Sequence, residues 1–365
     1  MAAALFPRLV FAHAVLIASD PGPDSVLTSP PSQVSLLFSE PVTPAGAGIK
    51  VYDPSGRQVA ASVSSRGSAL VAPVSVVQQG TYVVSWQVFA ADTHPSRGAF
   101  RFVLGHASAN PFSALLDTPE VGTATPAGVA LQALARWVHF AGLALVVGVV
   151  GYAILVQRRD GFDSPVRWGV ALMIAAEPLA LLGQLASLSF DGDTLLAVLG
   201  SSFGRLLGLR LGAALIAWTL LPARRGWPLL TVGAVIALLD GLSAHAVPGL
   251  PVAGQLLASI HVLAMAMWAG GLVAYVRAPD ARFPRLALLT FGVAAATGLL
   301  LAFAHTHFGA VLLTSDYGRA LLLKVSIVGA ALLLAVLQRR RVELAAVLAV
   351  IGSAALVAAL PPPFS

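Results

Sequence analysis

The chain contains no cysteine. No disulfide can therefore brace any exported part of it, and no thiolate can hold a metal. Charge is scarce as well: Asp, Glu, Lys and Arg make up only 10% of 365 residues, against 57% hydrophobic residues and a mean hydropathy of +0.84. A water-soluble domain of this size needs more charge than that. Methionine is nearly absent from the front of the chain, with only Met1 before Met173, so a thioether-rich metal site is excluded there. There is no Gly-rich loop ending in Lys-Ser/Thr for a nucleoside triphosphate. The net charge of +6 does not point to nucleic acid, because most of the arginines sit in short loops between apolar runs.

Apolar runs of about twenty residues, enough to cross a hydrocarbon core of ~30 Å, recur through the second part of the chain. They predict eight spans, at 130–156, 167–189, 205–221, 228–246, 253–275, 285–305, 319–338 and 342–360. Arginine clusters follow every odd-numbered span: Arg158, Arg159 and Arg167; Arg224 and Arg225; Arg277, Arg282 and Arg285; Arg339, Arg340 and Arg341. The alternate loops carry Asp191, Asp193, His245, His305, His307 and Asp316 instead. The positive-inside rule puts the first set in the cytoplasm, and hence the front of the chain and the last residues outside. Residues 1–12 read as the remnant of a signal peptide, with Val10 and Ala12 suiting a small-residue cleavage site before His13. Residues 13–104 alternate in short runs such as Val34–Phe38 and Thr81–Val88. Turn chemistry separates the runs at Asp20-Pro21-Gly22, Asp53-Pro54-Ser55-Gly56 and Gln79-Gly80, which predicts a β-sandwich of the immunoglobulin or cupredoxin kind. Residues 105–128, rich in Ala, Pro, Thr and Gly, read as a linker, and 129–361 as the membrane domain.

In the front domain, Asp92 and His94 are two positions apart, and Pro95 biases His94 toward extended backbone. On a strand both project from one face. If His13 begins the mature chain, its amine and imidazole can chelate one ion. With His94 and Asp92 they make three nitrogens and one oxygen, a tetragonal set that suits Cu(II).

These residues carry a resemblance. The run HAVLIASDPGPDSVLTSPPSQVSLLFSEPV from His13, followed by DTHPSRGAFRFVL from Asp92, resembles the CopC copper-binding proteins. The resemblance implies Cu(II) held by His13, Asp92 and His94, with Glu40 at an acidic position near that site. ARWVHFAGLALVVG, the run from His245 to Val276 and the stretch from Phe283 to Arg341 resemble the CopD family of eight-span membrane proteins. The motifs that carry this likeness are Trp268-Ala269-Gly270-Gly271, Thr297-Gly298 and Tyr317-Gly318 with Lys324. Together the two halves resemble the CopC–CopD fusion family of copper resistance and uptake proteins (YcnJ-like).

The membrane domain has ionisable residues at His139, Glu177, Asp240, His261 and Lys324, with Arg136, Arg210, His245, His305, His307 and Arg319 nearer the span ends. Such residues are expensive in a bilayer and face the bundle interior. All fall in the middle or outer half of their spans, which predicts a polar funnel opening outward. His261 and Met265, at i and i+4, share a helix face that Trp268 continues. The candidate metal ligands of this domain are His261, Met265, His139, His245, His305 and His307. The bland alternatives are interhelical hydrogen bonds and ion pairs of Glu177 or Asp240 with Lys324. The expected role is copper capture outside a bacterial cytoplasmic membrane and copper transport, inward by resemblance, without an enzymatic reaction. Its partners would be the copper ion, the lipid bilayer, and an extracytoplasmic copper donor or a cytoplasmic copper acceptor. Two rivals stand beside it: a membrane redox protein with haem between, for example, His139 and His261, and sequestration of copper without transport.

Overall fold

A computed structural model describes residues 14, 16–38, 41–90, 95–117, 126–162, 164–188, 190, 192–244, 247, 250–336, 340–360 and 362. The chain divides into two compact units, one of His13–Gly128 with Gln184–Arg205, the other of Met1–Ala12, Val129–Gly183 and Leu206–Ser365.

The first unit is a sandwich of two four-stranded sheets. One has the order β1 (Leu16–Asp20), β3 (Gln33–Phe38), β6 (Ala69–Pro73), β5 (Ser64–Arg66). The other has the order β2 (Val26–Leu27), β8 (Pro95–Leu104), β7 (Gly80–Ala90), β4 (Val42–Tyr52). The alternation read from the sequence is what the sheets bury: Val34, Leu36 and Phe38 from β3 meet Tyr82, Val84, Trp86 and Val88 from β7. Gly98 is fixed by contact rather than by turn geometry, since a Cβ there would lie 2.6 Å from the Trp86 ring. Asp53, buried at the predicted turn, accepts bonds from the Ser55 N–H and hydroxyl and from the Arg57 N–H and Nε–H. Burial pushes its pKa up, but the Ser55 and Arg57 bonds together hold it below the usual carboxylate value. A short helix from between the second and third predicted spans, α3 (Gly192–Gly200), packs on β4 in this same unit.

The second unit is helical: α1 (Pro126–Gly151, continued by one π turn, Tyr152–Val156), α2 (Pro165–Ser187), α4 (Ser202–Leu220), α5 (Gly226–Leu242), α6 (Pro251–Arg277), α7 (Phe283–Thr306), the short α8 (Val311–Thr314), α9 (Asp316–Val336) and α10 (Arg340–Ala359). Each of the eight expected spans holds one of these helices. Among the described residues, however, only five helical stretches are both long and apolar enough to cross a membrane: Pro126–Val156, Pro165–Ser187, Phe203–Ala223, Val252–Arg277 and Phe283–Thr306. Of the rest, α5 has 17 residues, and α9 carries Asp316, Arg319 and Lys324. The expected count of eight therefore does not follow from length and hydropathy alone. The bundle core lies around Leu143, Val146, Val147 and Val150 of α1. Its helices approach through small residues: a Cβ on Gly148 would stand 2.4 Å from Gly270 Cα, and one on Gly270 would stand 1.7 Å from the Ala144 carbonyl.

Candidate functional site

His13, Glu40, Asp92, His94 and His245 lie outside the described residues. The strand ends next to the first four are described, and they converge. Leu16 pairs with Phe38 across β1 and β3. Phe38 N–H donates to Ser68 O and Val42 N–H to Gly67 O, so one turn ties the end of β3 to the start of β4. Val42 pairs with Ala90, and Phe89 with Pro95, across β4, β7 and β8. One end of the sandwich thus gathers the described neighbours of positions 13, 40, 92 and 94. Just inside it, Phe38 meets Trp86 edge-on at 5.1 Å. Trp86 Nε1 and Ser96 Oγ are buried there without hydrogen-bond partners.

In the helical unit, three buried polar side chains and the half-buried Arg210, from four helices, form a ring. His139 of α1 has Nε2 at 3.0 Å from Asp240 Oδ2 of α5 and Nδ1 at 3.3 Å from Glu177 Oε1 of α2. The Nδ1 contact is within ion-pair distance but too poorly aligned to be a hydrogen bond. Arg210 of α4 closes the ring, with Nη2 at 3.2 Å from Glu177 Oε2 and Nη1 at 3.4 Å from Asp240 Oδ1. The two carboxylates therefore pair with Arg210 and His139, and not with Lys324. Sequence reasoning placed all four residues in the membrane domain and missed that Arg210 joins the other three. An intramembrane arginine must find a counter-charge, and that signal was present in the sequence.

His261 of α6 lies in a cradle made by α7. Its Nδ1 is 2.9 Å from the Ala294 carbonyl and 3.1 Å from Thr297 Oγ1, and Gly298 leaves room for the ring edge. The carbonyl can only accept, so Nδ1 carries the proton and Nε2 presents a lone pair, 3.5 Å from Lys324 Nζ of α9. Met265 is half-buried on the same helix, and Trp268 meets Phe291 of α7. The neighbouring Met267 sits against Gly151 instead. His305 and His307 part company. α7 runs on to Thr306, so His305 is buried beside Tyr317, while His307 is the exposed, left-handed residue that ends the helix. His139 and His261 have different partners at their ring nitrogens. Among the described residues no three His, Asp or Glu side chains stand ready as a metal site.

Residues 16–105 match the family model described as the CopC domain. The copper transport protein CutJ of Bacillus subtilis is 27% identical to this chain over 87% of its length, and the chain spans 66% of that relative. Copper resistance protein C of Xanthomonas campestris pv. juglandis is 31% identical over 28% of this chain and 87% of its own length. Protein YobA of Escherichia coli is 30% identical over 26% of this chain and 79% of its own length.

Proposed function

The chain belongs to the CopC family through residues 16–105, and from that premise we propose that it captures copper outside the cytoplasmic membrane and passes it to its helical unit for transport inward. The observation that carries this reading is the convergence at one end of the sandwich of the strand ends that flank His13, Asp92 and His94. Those three residues are the proposed Cu(II) ligands, with the amine of a mature His13 as the fourth donor and Glu40 close by. Metal binding there requires a deprotonated amine and neutral imidazoles, so affinity should fall as pH drops below about 8, and more steeply below about 6.5. The name of the Bacillus relative supports transport as the purpose of capture. His261, Met265, His305 and His307 are the proposed ligands within the membrane unit, together with His245. His261 is best prepared of these, since a ligating imidazole usually donates its other N–H to a carbonyl or carboxylate.

The test compares the full chain with its His94→Ala variant. We expect the variant to bind Cu(II) at least about tenfold more weakly. Cells carrying the wild type should accumulate more cytoplasmic copper than cells without it. Equal Cu(II) affinity in both proteins would overturn the capture site. Copper held in the membrane fraction without entering the cytoplasm would favour sequestration.

A further inference from the structure

Resting on the transport reading above, we propose that the ring of His139, Glu177, Arg210 and Asp240 is a proton-binding site, holding one exchangeable proton between His139 Nδ1 and Glu177 Oε1 whose release and return are coupled to the passage of copper. The ring is separate from the His261 cradle in every partner. It is not a metal site. The two carboxylates face opposite nitrogens of one imidazole, which leaves no lone pair open for a metal, so His139 drops out of the candidate ligands.

The proton follows from the geometry. Asp240 Oδ2 lies 3.0 Å from His139 Nε2, and Glu177 Oε1 lies 3.3 Å from Nδ1. An ionised carboxylate only accepts, and so does the bare nitrogen of a neutral imidazole. Two such atoms repel at these distances, so each contact contains a hydrogen. A neutral imidazole supplies one of them, and the other is an added proton. The charges agree: with that proton His139 and Arg210 balance Glu177 and Asp240, and without it the ring keeps a negative charge among membrane-spanning helices, where charge is costly. The two contacts are unequal. Nε2 is hydrogen-bonded to Asp240, whereas the longer contact to Glu177 is too poorly aligned for a hydrogen bond, so the proton on that side is the loosely held one. It leaves to water as H⁺; its electron pair stays on the ring and nothing is oxidised or reduced. The charged groups facing His139 are Glu177 of α2, Arg210 of α4 and Asp240 of α5, with Arg136 one turn earlier on α1 itself. α6 and α10 also pack on α1. The titratable residues of α6 are His261, turned into α7, and Tyr275 and Arg277 in its last turn; those of α10, Arg340, Arg341 and Glu343, stand in its first turn. The deprotonated ring is stable only while another cation stands within the bundle, and copper in transit is that cation. Copper and the proton therefore exclude one another and move in opposite directions.

The alternative is an ion network that only clamps α1, α2, α4 and α5 together and never gives up its proton. Two measurements on the full chain in lipid vesicles separate them. The first is nitrogen magnetic resonance of isotope-labelled histidine, with the His139 signal assigned by its loss in His139→Gln. At neutral pH both nitrogens of His139 should be protonated in the wild type. One should be bare in Glu177→Gln, whose ring is neutral without the added proton. A bare nitrogen on wild-type His139, or no change in Glu177→Gln, would overturn the proposal. The second follows a pH-sensitive dye inside the vesicles while Cu(II) sulfate is added outside, with protein-free vesicles as the blank. The interior should turn more alkaline as copper enters through the wild type, and His139→Gln and Glu177→Gln should both lose that change. Copper entry through the wild type at constant interior pH would overturn the coupling, because a clamp predicts that result. If no copper enters at all, the transport reading has failed and the coupling with it, while the resonance of His139 still decides whether the ring holds the proton.

Discussion

At the scale of single residues, the sheet unit depends on a few contacts whose energies can be tested. Asp53 has a folded pKa below its ordinary value because the bonds from Ser55 and Arg57 outweigh its burial. A depressed carboxylate contributes stability above the unfolded pKa and loses it as pH falls through the folded one. Urea unfolding of the full chain at neutral pH should therefore show Asp53→Asn destabilised, with the gap to wild type closing below about pH 3–4. A gap that widened on acidification would contradict this account of the turn. Gly98→Ala would drive a methyl into the Trp86 ring, and overpacking of that kind costs about 1–3 kcal/mol, to be read as a lowered melting temperature of the same unit. The Asp53 turn was legible in the sequence, because Asp-Pro-Ser-Gly states its own geometry. The need for Gly98 was not, because Trp86 meets it across a strand pair and no local pattern records that contact.

Among secondary-structure elements, legibility follows the range of the interactions. The strand Val34–Phe38 and the helices of the second unit announce themselves through alternation and long apolar runs. The ring of His139, Glu177, Arg210 and Asp240 does not. Its contacts join residues 30 to 101 positions apart, and each residue alone reads as one more polar group in a span. The docking of α3 on β4 was equally hidden, since nothing in nine residues between two spans names a partner in a distant sheet. The close helix contact between α1 and α6 lies between these cases: Gly270 and Gly271 stand out in the sequence, and the structure supplies Gly148 opposite them. Gly270→Val should wedge those helices apart. Backbone cannot yield as a side chain would, so the loss should reach or exceed the upper end of the ~1–3 kcal/mol range for overpacking. Gly292→Ala is the control, because nothing lies within 4 Å of its added methyl and helix propensity alone favours alanine by up to about 1 kcal/mol. Thermal melting of the two full-length variants in detergent checks both; equal melting temperatures would mean that the Gly148–Gly270 approach carries no weight.

For the whole molecule the open structural question is the path of the chain through the bilayer, and it turns on α5. Seventeen residues at about 1.5 Å each reach roughly 26 Å, short of a ~30 Å hydrocarbon core. If α5 failed to cross, everything from α6 onward would invert. The cluster Arg277, Arg282 and Arg285 would then face outside, against the arginine bias that every earlier loop obeys. A mismatch of a few ångströms costs only fractions of a kcal/mol per ångström, and flanking arginines can snorkel to the interface. Arg224 and Arg225 stand at the start of α5 to do so. The energetic balance thus favours a crossing α5. We therefore expect reporters fused after Arg159 and Arg225 to read cytoplasm, and reporters after Gly200 and Leu250 to read the outside. A cytoplasmic reading after Leu250 with an outside reading after Gly200 would show that α5 turns back within the membrane. The proposed outward-facing arrangement of His261, Met265, His305 and His307 would fail with it, since α6 and α7 would then present those residues to the other side.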